Sequence, residues 1–143
     1  MNQKVLHPDF PVIEGEYFLS KFWTITLPAP FNRRVDNDSL VLWRPNLTFW
    51  MTQYENKEKR LPREMVLSLI VNRSNKTYDY KEFEIGDLFV TQYFEEEIQK
   101  EPIYKFHYVI ASEDSMISVQ VHTKNKEYCN ASKQICQTIK QSI

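Results

Sequence analysis

The chain of 143 residues suits one folding unit, large enough to bury about two-thirds of its unfolded surface in a single core. With 42% hydrophobic and 26% charged residues it is too apolar for disorder, and a net charge of -1 argues against a general binder of the phosphate backbone. Only Gly15 and Gly86 are glycines, which excludes the phosphate-cradling loops and dinucleotide fingerprints that need several.

In chain order, residues 1–21 read as an arm without regular structure. Pro8, Pro11 and Gly15 interrupt it, while Phe10, Val12, Ile13, Tyr17 and Phe18 give it something to pack. Between Met1 and Leu19 there is no apolar run of signal-peptide length, and no later stretch is long enough to span a membrane, so a cytoplasmic location is expected. Residues 22–143 then form a single domain. A first strand at Phe22–Leu27 is expected to end at Pro28 and Pro30, with Asn32–Asp38 a loop.

Two strands follow back to back, Leu40–Trp43 and Leu47–Thr52, around a turn at Arg44-Pro45-Asn46. Side chains alternate across a strand, so pairing these two places Leu40, Leu42, Phe49 and Met51 on one face. Val41, Trp43 and Trp50 fall on the other. Apolar side chains on both faces mean a sheet covered twice, or one whose second face receives a partner. The arm and a helix starting at Pro62 could supply that cover.

Pro62 suits the first position of a helix, where its missing N–H costs nothing. That helix should run to about Asn72 with Met65, Val66, Leu69 and Ile70 as core stripe, while Leu67 and Val71 project from the opposite side and are free to meet something else. Ile85-Gly86-Asp87-Leu88 carries the signal of a two-residue hairpin, placing Phe83, Ile85, Leu88 and Val90 on one face and Tyr78, Tyr80, Phe89 and Tyr93 on the other. A second hairpin closes through Ser112–Ser115 and pairs Ile110 with Ile117, Tyr108 with Val119 and Phe106 with Val121. Its other face holds Lys105, His107, Ser118, Gln120 and His122 and reads as solvated. A last helix from about Lys126, capped by Asn125, carries the stripe Tyr128, Ala131, Ser132, Ile135, Ile139, Ile143 and should close the sheet.

No constellation names a reaction. His107 and His122 are diagonal neighbours without a third ligand, so no metal is expected, and Cys129 has no histidine partner placed by the sequence. Glu95, Glu96 and Glu97 read as an acidic edge, with Arg33-Arg34 and Lys57–Arg60 as basic counterparts. Basic residues near Trp43 and Trp50 could suggest single-stranded nucleic acid, but the near-neutral balance argues against it.

The order of elements resembles the PsbP-like fold, through Phe22-x-x-Ile25-x-Leu27-Pro28, then Leu40-Val41-Leu42-Trp43, then the closing strand Ile117–Val121 with its helix. That group includes the photosystem PsbP proteins, a Ran-binding import factor, the DcrB-like lipoproteins and the Eag chaperones of type VI secretion. The resemblance implies an α+β domain, a mostly antiparallel sheet flanked by helices, that binds proteins rather than catalysing, and no family site residue is carried over. The expectation is therefore a bacterial immunity protein or secretion-effector chaperone without cofactor or metal, binding a toxin or effector, with a homodimer left open. The partner surface is assigned to Trp43, Trp50, Tyr80, Tyr93, Leu67, Val71, Glu95, Glu96 and Glu97. The alternative is a carrier of small apolar ligands, with its pocket between sheet and arm.

Overall fold

A computed structural model describes residues 6–98 and 100–142; the expected apolar role of Ile143 lies outside them. Among the described residues nine strands form one sheet: β1 (Val12–Phe18), β2 (Trp23–Asp36), β3 (Ser39–Arg44), β4 (Leu47–Glu55), β5 (Thr77–Ile85), β6 (Leu88–Glu97), β7 (Ile103–Ala111), β8 (Ser115–Thr123) and β9 (Lys140–Gln141). Helix α1 (Pro62–Ile70) joins β4 to β5, and α2 (Lys126–Cys136) joins β8 to β9. The order across the sheet is β1-β2-β3-β4-β8-β7-β6-β5, with β9 paired to β2 off this path. All pairings are antiparallel, and the class is α+β with the sheet dominant.

The hairpins follow local chemistry. Arg44 pairs with Leu47 around Pro45-Asn46, and Asn46 takes the positive φ of 58° that the turn requires. Leu42 faces Phe49 and Leu40 faces Met51, the register that alternation predicts. The Ile85–Leu88 pair closes around Gly86-Asp87, with Gly86 at φ 58°. Ile110–Ile117, Tyr108–Val119 and Phe106–Val121 pair as expected.

The first half of the chain departs from expectation. Residues 12–18 are not an irregular arm but the edge strand β1, and β2 runs through Pro28, Pro30 and the segment expected to be a loop. The prolines are tolerated because Ile13 pairs with Phe31 while Gly15 pairs with Leu27. Pro28, Ala29 and Pro30 therefore bulge opposite Glu14 alone, where no ladder N–H is needed.

On the first face, α2 packs against β2, β7 and β8. Cys129, Ile135 and Cys136 meet Trp23, Ile25, Phe49, Phe106, Ile117 and Val121 in the main core. The buried side of α2 is centred on Cys129, Ser132, Ile135 and Cys136. Ala131, expected in the stripe, is exposed, and Ile139 is buried beyond the helix end. Asn125 caps α2, its side chain accepting from the N–H groups of Glu127 and Tyr128.

On the second face, α1 lays Met65, Val66 and Ile70 on Phe89, Tyr93, Val109, Ala111 and Met116. Each such apolar side chain contributes about 1.5–3 kcal/mol relative to exposure. Leu69 is exposed rather than part of that stripe, and the helix ends at Ile70, before the expected Asn72.

Candidate functional site

Antiparallel pairing turns the second face into rows that cross the sheet. One row runs Arg34, Val41, Trp50, Gln120, His107, Tyr93, from β2 through β3, β4, β8 and β7 to β6. The next runs Asn32, Trp43, Thr48, His122, Lys105, Glu95. Tryptophans read from β3 and β4 thus share a surface with charged residues of the other hairpins because β4 pairs with β8.

Two segments cover the ends of this face. Over β6, β7 and the start of β8, α1 seals Phe89 and Val109, and Arg73 beyond it lies 4.4 Å from the Tyr80 ring centre and 5.9 Å from that of Tyr93. Tyr80 stacks on Tyr93, and Tyr93 on His107 at 4.6 Å. At the other end residues 7–10 cross β2 and β3. The fully buried Asn32 accepts from the His7 N–H at 2.7 Å and donates to the carbonyls of His7 and Phe10, and the Phe10 ring meets Trp43 edge-on at 5.0 Å. Between these covers lies a half-buried stripe of Arg34, Thr48, Trp50, Gln120, His107 and His122.

The electrostatics of the stripe differ from the solvated side expected. Lys105, His107, Ser118, Gln120 and His122 are all half-buried, because β7 and β8 are central strands and their neighbours' side chains lie over them. The later hairpin is accordingly the better covered one, while β5 of the earlier hairpin is an exposed edge. His107 Nε2 donates to Glu95 Oε1 at 2.9 Å. Burial lowers the His107 pKa more than the Glu95 carboxylate raises it, which leaves a neutral imidazole with its proton on Nε2. Burial and the nearby Lys105 likewise lower the pKa of His122, whose Nε2 is buried without a hydrogen-bond partner among the described residues.

The glutamates are not one acidic patch. β6 is a strand, so successive side chains point to opposite faces, and each glutamate finds its own partner. Glu95 bonds His107, Glu97 bonds Lys105 on the same face, and Glu96 lies on the α2 side, 3.6 Å from the Lys126 ammonium. Tyr78 also changes face. One extra residue on β5 between Tyr78 and Lys81, with Asp79 at φ 54°, pairs Tyr78 with Phe94 and stacks the two rings on the α2 side, away from Tyr80 and Tyr93.

Of the partner residues expected from sequence, Trp43, Trp50, Tyr80, Tyr93, Glu95 and Glu97 share the second face, although Tyr93 is buried. Leu67 packs beside α1's core contacts, and Val71 stands 68% exposed at its end. Arg33 and Arg34 part company: Arg33 Nε donates to the Tyr17 hydroxyl at 2.6 Å, while Arg34 lies on the second face, 4.8 Å from the Trp43 ring centre and 5.6 Å from that of Trp50. Lys57, Lys59 and Arg60 border grooves between the β4 end, α1 and the 112–114 turn instead. Sequence reasoning missed the Glu95–His107 pair and the anchoring role of Asn32, since neither is visible until β6 is set beside β7 and the arm beside β2. Among the described residues no three His, Cys, Asp or Glu side chains converge as a metal site.

No protein-family model matches the chain, and no curated protein matches it. Among solved structures, a crystal structure from Bacteroides thetaiotaomicron VPI-5482 at 1.50 Å superposes with a TM-score of 0.67 and 12% sequence identity, over 90% of this chain and 49% of that one. This chain therefore spans about half the length of the structure it matches, and the likeness is one of fold alone. No helix among the described residues is long and apolar enough to cross a membrane.

Proposed function

We propose that this chain is a protein-binding module rather than an enzyme, and that it binds through the second sheet face between α1 and residues 7–10. The observation that supports this is the cluster of Arg34 with Trp43 and Trp50, two half-buried indoles and a guanidinium on one face of an antiparallel sheet. Tryptophan, tyrosine and arginine dominate the energetic centres of protein interfaces, because each buries large area with little rotamer entropy lost per contact. The concrete form we favour is a cytoplasmic immunity protein or a chaperone of a secreted effector, as a PsbP-like relative would be. The carrier reading has less support: the groove between β1 and the β2–β3 turn, lined by Tyr17, Leu19, Leu40 and Met51, is open and about 220 Å³. Small-molecule sites usually enclose about 300–1,000 Å³.

The test is capture of the associated protein in the native host by wild type and by a Trp43→Ala/Trp50→Ala variant. The variant should retain the far-ultraviolet circular dichroism of the sheet and lose the partner. Retention of the same partner by a folded variant would remove this face from the proposal.

A further inference from the structure

We infer that the partner is gripped through a carboxylate: the Arg34 guanidinium, held against Trp43 and Trp50, receives an aspartate or glutamate side chain from an acidic segment of the bound protein. This rests on the reading of the second face as a protein-binding surface and names the chemistry of its partner.

Arg34 is unlike the other arginines of the chain. Arg33 donates to Tyr17, Arg44 to the Pro30 carbonyl, Arg60 to the Glu64 carbonyl, Arg63 to Glu82 and Arg73 to the Ile70 carbonyl. The Arg34 side chain alone donates no hydrogen bond and forms no ion pair among the described residues, although it is half-buried. Its nearest acid along the strand, Asp36, is exposed beside the hairpin turn and unpaired with it. A guanidinium resting on aromatic faces keeps its N–H groups in the plane of its fork, the geometry that matches a carboxylate with two parallel hydrogen bonds. The flanking indoles exclude water from that contact, which strengthens a charge-assisted bond over its value in bulk solvent.

Charge balance on the face points the same way. Glu95 and Glu97 are engaged by His107 and Lys105, so the stripe carries no free carboxylate that would answer Arg34 internally. The other basic residues do not extend a track from Arg34: Lys105 is tied to Glu97, Arg73 rests on Tyr80 and Tyr93, Arg33 is tied to Tyr17, and Lys57, Lys59 and Arg60 border grooves at the β4 end. One cation between two indoles suits a single acidic side chain better than a run of phosphates.

The test is a fluorescence titration of the full chain. Trp23 is fully buried and supplies a constant background, so changes in emission report Trp43 and Trp50. The probes are an acetylated peptide of alternating glutamate and alanine, the same peptide with glutamine in place of glutamate, and a uridine oligonucleotide of equal length. The glutamate peptide should bind saturably and more weakly as salt rises, with the glutamine peptide about tenfold weaker. Arg34→Gln should lose about tenfold in affinity for the glutamate peptide, and Arg34→Lys should lose less because the charge remains. No saturable change with the glutamate peptide, equal affinity for the glutamine peptide, an unaffected Arg34→Gln, or preference for the oligonucleotide would each overturn the inference. Partner capture separates the two levels. If Trp43→Ala/Trp50→Ala loses the partner while Arg34→Gln keeps it, the carboxylate fails and the protein-binding face stands; if neither folded variant loses it, both fail.

Discussion

At His107 burial opposes charge. The ring donates to Glu95, and its side chain and that of Glu95 are only 15% and 11% exposed, so a carboxylate is at hand to stabilise an imidazolium. Desolvation nevertheless outweighs it, helped by Lys105, and the folded-state pKa falls below the ordinary 6.5. His122 shifts the same way for the same leading reason. A lowered pKa means that the unfolded chain takes up protons more readily, so the stability these histidines contribute is complete above about pH 6.5 and drains away as pH falls toward their folded-state values. The carboxylates of Glu82, Glu97 and Glu101 are also lowered, by hydrogen bonds from Tyr80, Lys105 and Lys124 respectively, but their contribution is lost only below their ordinary 4.5. The two windows separate. Thermal midpoints are expected to drop as pH falls below about 6.5, and a His107→Gln/His122→Gln variant to flatten that loss while leaving the carboxylate limb at lower pH in place. An unchanged slope in the double variant would assign the loss to other groups.

At the scale of elements, what could be read from the chain was what local pattern controls. Alternation and turn chemistry gave the β3–β4, β5–β6 and β7–β8 registers, because a two-residue loop fixes pairing and a one-residue slip would turn Leu42 or Phe106 to the wrong face. Proline misled at β2: Pro28 and Pro30 look like a stop, yet a bulge opposite Glu14 accommodates both and the strand continues. Tyr78 was misplaced by a bulge at Asp79 that no apolar pattern announces. The site depended on pairings between separate hairpins, β4 with β8 and β6 with β7, which decide that His107 meets Glu95 and that Trp50 meets Gln120. Alternation within a hairpin carries no information on which hairpin lies beside it. Gly86 gives this scale its own test. At φ 58° it occupies a conformation that L residues resist, and a Cβ there would meet nothing within 4 Å. Gly86→Ala is therefore expected to lose about 1 kcal/mol through backbone strain alone, and Gly86→Asn distinctly less, since asparagine tolerates the left-handed region. Urea unfolding measures both; equal losses would mean that the turn is held by its strands rather than by its own backbone.

For the whole molecule, the decisive feature is that α2 is packed among strands from opposite ends of the sequence. It meets β2 as well as β7 and β8, and β9, directly after it, pairs with Trp23 and Thr24 of β2. Trp23 is in turn fixed to the other hairpin, its Nε1 donating to Ser115 Oγ at 2.6 Å. Withdrawing α2 thus means breaking the β2–β9 pairing and opening the main core together, which argues for a single cooperative unit. The two cysteines report on this without any engineered label. Cys129 and Cys136 are free and buried on the inner side of α2, and burial pushes both thiols up, Cys129 to about 12. Neither accessible nor ionised near neutral pH, they should resist a thiol reagent in the native protein. In a urea series, both should become reactive along the same transition that circular dichroism records for the sheet, with coincident midpoints. Thiol exposure at clearly lower urea would mean that the helix leaves before the strands part, and that the second face, which α2 does not touch, rests on a sheet able to stand alone.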